Sequence, residues 1–288
     1  MPGSGKKVEV TIEKGESTKM IGAKLGEKNL IGSDLFFYLY MKFKEKTIKP
    51  GDYLLPNNLS IVKIAGILEN GEHQVKKIII PEGWRREQIA AYLADQAKIN
   101  PDEFMSKTKD LEGKLFPDTY DLTDEPTADE VIKKMTDDYA SRISGLSVSN
   151  DMLIIASIVE REAANDAERA DIAGVFTNRL AKGMKLEADP TVQYQKDNDN
   201  YPKVGILNFK FWQKLTNGDI KNIKGPFSTY QNAGLPPAPI CNPGLASIKA
   251  ALTPSKHNYL YFLHGTDGKI YFAATEADHN ANKAKYLK

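Results

Sequence analysis

Between Val8 and Ile12 the residues alternate as V-E-V-T-I, the two-residue period of a half-buried strand. After the turn Lys14-Gly15-Glu16 the period lengthens. Met20, Ile21 and Leu25 share one face of a helix that Ser17 would cap and that runs to about Lys28. Ser33 is a second N-cap, ahead of the aromatic run Leu35-Phe36-Phe37-Tyr38-Leu39-Tyr40 and a helix to about Phe43, whose aromatics read as core rather than as a sugar platform. Lys49-Pro50-Gly51 turns the chain into a strand through Tyr53-Leu54-Leu55. Ser60 opens a third helix through Ile61, Ile64, Ala65 and Leu68, which Asn70-Gly71 would end. The pattern predicts a small α+β unit over residues 7–75.

A larger mixed α+β region is expected over 76–288. Its leading part, 76–148, holds a strand at Lys76–Pro81, a helix near Arg86–Lys98, an acidic segment from Pro101-Asp102, a loop at Leu115–Tyr120 and a helix over Ala128–Ile143. From 149 onward, Asn150 is read as the cap of an apolar helix reaching about Ala164, and a second helix covers Ala167–Lys182 before Gly183. The stretch from Asp189 to Gly244, rich in proline and polar residues, reads as one long irregular run of the kind that carries function inside a compact domain. A short helix through Ile248 to Leu252, a hairpin around Gly265-Thr266-Asp267-Gly268 and a helical tail from Glu276 complete the chain.

Composition narrows the chemistry. The 288 residues suit two domains. A net charge of +1 gives no electrostatic footprint for nucleic acid. One cysteine, Cys241, excludes an internal disulfide, and His73, His257, His264 and His279 show no metal-ligand spacing. There is no glycine-rich phosphate cradle and no lysine in a Schiff-base setting, so neither metal nor organic cofactor is expected. No apolar stretch has the length of a membrane span. Residues 1–6 read as a tag joined to an already folded segment.

Several motifs then stand in a fixed order. Ala156-Ser157-Ile158-Val159-Glu160-Arg161-Glu162 is followed by Val175-Phe176-Thr177-Asn178-Arg179-Leu180, Gly183-Met184-Lys185-Leu186 and Asp189-Pro190-Thr191-Val192. Further on come Ser228-Thr229-Tyr230, Gly234-Leu235-Pro236-Pro237, Pro243-Gly244, Tyr259-Leu260-Tyr261-Phe262 and His279-Asn280. Pro50-Gly51-Asp52-Tyr53, Pro81-Glu82-Gly83 and Phe116-Pro117-Asp118-Thr119-Tyr120 belong to the same set upstream. Jointly they resemble the MltG/YceG-like endolytic murein transglycosylases. A departure is Phe227-Ser228, where the family often carries Tyr-Asn.

The resemblance implies a LysM-like module ahead of a catalytic domain with a glycan-binding cleft. It implies scission of the MurNAc–GlcNAc bond within nascent strands to leave 1,6-anhydroMurNAc ends. It also implies a cell-membrane location through an N-terminal anchor, an extracytoplasmic catalytic domain, and work beside cell-wall synthases and division or elongation proteins. Two other classes stay open: a muramidase hydrolase, and a non-catalytic peptidoglycan-binding scaffold.

Such a reaction needs a carboxylic acid that keeps its proton near neutral pH. Met152, Ile155, Val159 and Glu162 fall on one helical stripe, whereas Glu160 lies about 200° away, so Glu162 is expected to be the acid and then the base. Proximity to the helix C-terminus disfavours its charge as well. Asp189 is the best second acid, either touching substrate or capping the Asp-Pro turn. Glu160, Asn178, Arg179, Gln193, Tyr194, Thr229 and Tyr230 are candidate glycan-contacting groups, each with a structural reading beside it.

Overall fold

The computed structural model describes residues 6–71, 75–123 and 126–287, so His73 and the first five residues of the expected tag lie outside them. Backbone contacts divide the chain into one unit of residues 1–78 with 119–126 and a second of 79–118 with 127–288.

In the first unit β1 (Lys7–Ile12) is followed by α1 (Thr18–Glu27), α2 (Asp34–Phe43), β2 (Gly51–Pro56) and α3 (Ile61–Asn70). Ser17, Ser33 and Ser60 each accept a hydrogen bond from a first-turn N–H, and Gly71 ends α3 in the left-handed region that glycine tolerates. Strands β1 and β2 pair antiparallel with Val10 opposite Tyr53 and Val8 opposite Leu55. The core joins Val10, Ile12, Ile21, Leu25, Phe37, Met41, Tyr53, Leu55, Ile64 and Leu68. Gly22 lets α1 and α2 approach closely: a Cβ there would stand 3.2 Å from the Asp34 carbonyl oxygen.

The aromatic run of α2 departs from expectation. Only Phe37 and Met41 are buried, while Leu35, Phe36, Leu39 and Phe43 face outward. Apolar residues occupy every side of this helix, so periodicity could not say which side the core would take.

β3 (Val75–Ile79) pairs with β4 (Thr119–Thr123), so the expected loop at 115–120 ends inside a strand. In the second unit come α4 (Arg86–Ala97), α5 (Pro101–Lys107), α6 (Ala128–Arg142), α7 (Asn150–Glu162), a 3-10 turn at Asp166–Glu168 and α8 (Arg169–Ala181). They are followed by α9 (Asp189–Val204), α10 (Asn217–Asn222), α11 (Leu245–Leu252), the antiparallel hairpin β5 (Tyr261–His264) and β6 (Ile270–Ala273), and α12 (Glu276–Tyr286).

Helix α7 is the centre of this unit. Ser149, not Asn150, caps it by accepting from the Met152 N–H, and the helix stops at Glu162. Seven consecutive residues, Leu153–Val159, are buried. They meet Ile172, Ala173 and Phe176 of α8, Ile248 and Ala251 of α11, and Ile240. Neighbours therefore enclose this stretch of α7 on all sides, and the stripe shared by Ile155, Val159 and Glu162 is not its only buried face.

Two helices were missed between Asp189 and Gly244. α9 begins with Asp189-Pro190, a favoured helix start, yet its buried positions include Thr191, Gln195 and Asp197. Without an apolar stripe the segment reads as loop.

Candidate active site

The C-terminal end of α7 delivers Glu162 to a cleft of about 440 Å3. Its walls come from α8 (Val175, Phe176, Arg179), the approach to α9 (Leu186–Asp189), Tyr230, β5 and α12. Arg179 fixes the approach segment. Its Nη1 donates to the carbonyls of Lys185 and Leu186 at 2.9 and 3.0 Å and to Glu187 Oε2 at 3.0 Å, and its Nε donates to the Leu260 carbonyl at 2.6 Å. The guanidinium also lies 4.9 Å from the Tyr261 ring centre. These bonds hold Glu187 at φ 52°, a left-handed conformation rare for a residue with a Cβ.

A pair of hydroxyls completes the turn. Thr229 Oγ1 accepts from the Ala188 N–H at 3.0 Å and lies 2.8 Å from Thr191 Oγ1, which donates to the Ala188 carbonyl. The result is a rigid entry to α9 that presents Asp189 at the helix N-terminus, where an anion is favoured. Tyr230 Oη donates to Asp189 Oδ1 at 2.8 Å. Burial, followed by the negative charge of Asp189, raises the Tyr230 phenol above its ordinary pKa, so it remains a donor.

Glu162 faces this cleft near Asp189 and Arg161. Burial raises its pKa to about 8; the Asp189 charge adds to the rise and Arg161 opposes it. The end of α7 compounds the effect, since the last carbonyls of a helix repel an anion. A carboxylic acid that is protonated at neutral pH thus shares a cleft with an exposed carboxylate held by a tyrosine.

In the same lining His279 stacks on Tyr261 at 5.1 Å, and burial together with the charges of Lys283 and Arg179 holds its pKa below the ordinary value. Tyr261 and His279 belong to the motif set but not to the expected site, and Glu187, Glu276 and Lys283 belong to neither; all five line the cleft. Their i, i+3, i+7 spacing along α12 (Glu276, His279, Lys283) was the available signal.

The sequence profile of the YceG-like family matches residues 10–285. The chain belongs to this family. Over 97% of its length it is 32% identical to an endolytic murein transglycosylase of Bacillus subtilis (strain 168), of which it spans 85%. It is 30% identical, over 99% of its length, to an endolytic murein transglycosylase of Streptococcus pneumoniae (serotype 2, strain D39), of which it spans 59%. A crystal structure of a YceG-like protein from Listeria monocytogenes superposes with a TM-score of 0.60 at 32% identity, covering 96% of this chain and 99% of that one. The α+β class expected from the pattern is that of the family.

Within this YceG-like chain, Glu162, Arg179, Asp189 and Tyr230 of the expected site line one cleft. The remaining expected residues are engaged elsewhere. Glu160 pairs with Arg169 at 3.2 Å and accepts from the Gly244 N–H at 3.0 Å. Asn178 donates to the carbonyls of His257 and Tyr259. Gln193 donates to the carbonyl of Gln213. Tyr194 is buried under the Arg85 guanidinium at 4.0 Å. Thr229 acts through the α9 entry described above. Cys241 is buried, with its thiol donating to the Ser157 carbonyl. Among the described residues no three His, Cys, Asp or Glu side chains converge as metal ligands, and no helix is long and apolar enough to cross a membrane.

Proposed function

We propose that this chain cleaves the glycosidic bond between MurNAc and GlcNAc inside peptidoglycan glycan strands, with Glu162 as the sole proton-transfer residue. The observation that carries the reading is the Glu162 carboxyl, raised to about 8 in the lining of a cleft. Glu162 gives its proton to the glycosidic oxygen as the C1–O bond breaks. The cationic sugar is then attacked at C1 by its own 6-hydroxyl, whose proton returns to the Glu162 carboxylate. No water is consumed, and the product ends in 1,6-anhydroMurNAc. Tyr230 and Arg179 act as positioning residues, the first on Asp189 and the second on the 185–187 segment.

A second reading rests on Asp189. A carboxylate sharing the cleft with a protonated carboxyl is what a hydrolase uses to take a proton from water or to trap the sugar. In that case the same Glu162 serves as acid and the product is a reducing end. Mass spectrometry of muropeptides released from uncrosslinked strands separates the two: anhydro ends support the transglycosylase, and products heavier by one water support the muramidase. Strand binding with no scission at all would leave the scaffold reading.

The domain assignment follows the same line: a LysM-like module over 7–75 that engages glycan, and a catalytic domain over 76–288. Because peptidoglycan lies outside the cytoplasmic membrane, the proposal places the catalytic domain on the extracytoplasmic side, held at the membrane by an anchor and working beside synthases and division or elongation proteins.

A further inference from the structure

Helix α2 has two apolar faces, and only one is used by the core. Phe37 and Met41 point inward and are fully covered. Leu35, Phe36, Leu39 and Phe43 lie within about 100° of one another around the helix and are 64, 54, 52 and 83% exposed. Four large apolar side chains on a single stripe form a contiguous patch, which marks an interaction surface more often than a scattered residue does.

Its chemistry selects the partner. The stripe itself carries no hydrogen-bonding group, so it offers a sugar's hydroxyls nothing to bond. Half-buried Tyr38 and Tyr40 flank it, with polar tips suited to a boundary between apolar and aqueous layers. Residues 42–49 supply four lysines against one glutamate. Lys46 is paired with Glu69, and Lys49 donates to the Asn70 carbonyl. Lys42 and Lys44 have no carboxylate partner among the described residues, and their Nζ atoms lie 6.0 and 5.8 Å from the ring centres of Tyr38 and Phe43. Two unpaired ammonium groups therefore stand at the end of the apolar stripe. Asp34 lies at the other end of the helix, and Glu45 is the one carboxylate in the basic segment. Around them, residues 6–71 hold eleven lysines and eight carboxylates.

We infer that the outer face of α2 docks on a lipid surface rich in anionic headgroups. Leu35, Phe36, Leu39 and Phe43 enter the acyl boundary, and Lys42 and Lys44 meet the phosphates. This contact is separate from the glycan cleft and from any spanning anchor.

Co-sedimentation of the full chain with vesicles tests it. Phosphatidylglycerol-containing vesicles should retain the protein, and pure phosphatidylcholine vesicles should retain it several-fold less. Phe36→Ser/Phe43→Ser should lower the partition coefficient by roughly tenfold or more, with an unchanged circular dichroism spectrum because neither side chain is in the core. Lys42→Gln/Lys44→Gln should remove the preference for anionic lipid, and added salt should do the same to the parent. Should the serine pair unfold the module, the glutamine pair decides. Three results would overturn the assignment: no sedimentation of the parent, equal retention of parent and variants, or concentration-dependent self-association that vanishes with the serine pair. The last would make the face a contact between copies.

Discussion

Two carboxyls of the second unit, Glu112 and Glu162, are both pushed well above the ordinary carboxylate range, and their surroundings are opposite. Glu112 sits in a closed polar block. Its oxygens accept from the Arg86 N–H at 3.2 and 3.3 Å and from Asn242 Nδ2 at 2.9 Å. Burial and then the neighbouring Glu87 charge raise its pKa, against Arg85. Arg85, itself fully buried, bonds Glu87 at 2.6 Å, also meets Asn198, lies 3.8 Å from Asp197, and is roofed by Tyr194 and Phe211. Asn242 ties this block together by accepting from the N–H groups of Gly113 and Leu115 and donating to the Trp84 carbonyl. Glu162 has a raised pKa too, but burial and the charges of Asp189 and Arg161 set it, it accepts no hydrogen bond from the described residues, and it opens on a cleft. A raised pKa marks a catalytic acid only where the proton has somewhere to go.

The largest expected effect comes from removing that proton. Glu162→Gln should lower the cleavage rate by about two to four orders of magnitude, with the circular dichroism spectrum retained. In the parent, activity should decline as pH rises through about 8, where the acid loses its proton. The linkage has a definite sign. Between the ordinary value of 4.5 and about 8 the folded state holds a proton that the unfolded state has released, so this group lowers stability as pH rises across that window. Glu162→Gln should therefore be more stable than the parent at pH 8 by about 1–2 kcal/mol, a figure reduced for the cleft's access to water. A folded Glu162→Gln that still cleaves strands would transfer the acid role elsewhere.

Breaking the closed block should act on stability. Arg85→Met removes the cation beside buried Asp197 and leaves Glu87 only the longer contact to Arg86 at 3.5 Å, a loss of about 3–5 kcal/mol, read as a lower urea midpoint. Any fraction that remains folded should keep the Glu162 pH profile. A shift of that profile would mean that the two regions are coupled.

Glu160→Gln probes the boundary between them. It weakens the ion pair to Arg169, which also bonds Ser247 and Asp166, while keeping an oxygen for the Gly244 N–H. Destabilisation of about 1–3 kcal/mol is expected, with measurable turnover. Complete loss of turnover at parental stability would move the acid to Glu160.

How far the sequence could be read depended on where each signal was local. Three serine caps and a glycine stop in the first unit act over one helical turn, and Ser17, Ser33 and Ser60 were visible in the letters. The position of Glu162 at a helix end was visible too. What sets it apart from Glu160 was not, because α7 is enclosed by elements up to a hundred residues away and no single-helix pattern encodes them. Helix α9 was hidden for another reason: Thr191, Gln195 and Asp197 face inward to serve the Ala188 turn, the Phe227 N–H and the Trp212 N–H. A core built from hydrogen bonds leaves no hydrophobic period to count. The outward stripe of α2 was legible as apolar and illegible as exposed.

The smallest expected effect gives the sharpest comparison. Burial keeps the Glu112 carboxyl protonated, so glutamine is close to an isostere of the state the fold contains. Its amide oxygen can still accept from Asn242 Nδ2 and from the Arg86 N–H. The exchange also removes any residual repulsion from Glu87. Below about pH 4, where the folded and unfolded states both hold the proton, stability should thus change by no more than about 1 kcal/mol. Its decline with rising pH should become shallower, because one proton held in the folded state and released in the unfolded state is gone. Cleavage should be unchanged, since no substrate atom reaches a block closed by Arg85, Asn242 and Tyr194. The same Glu→Gln exchange at two carboxyls of similarly raised pKa would then silence one site and leave the other active. If folded Glu112→Gln lost activity as Glu162→Gln is expected to, access to the cleft would no longer distinguish the two carboxyls, and the closed block would have to be counted as part of the catalytic machinery.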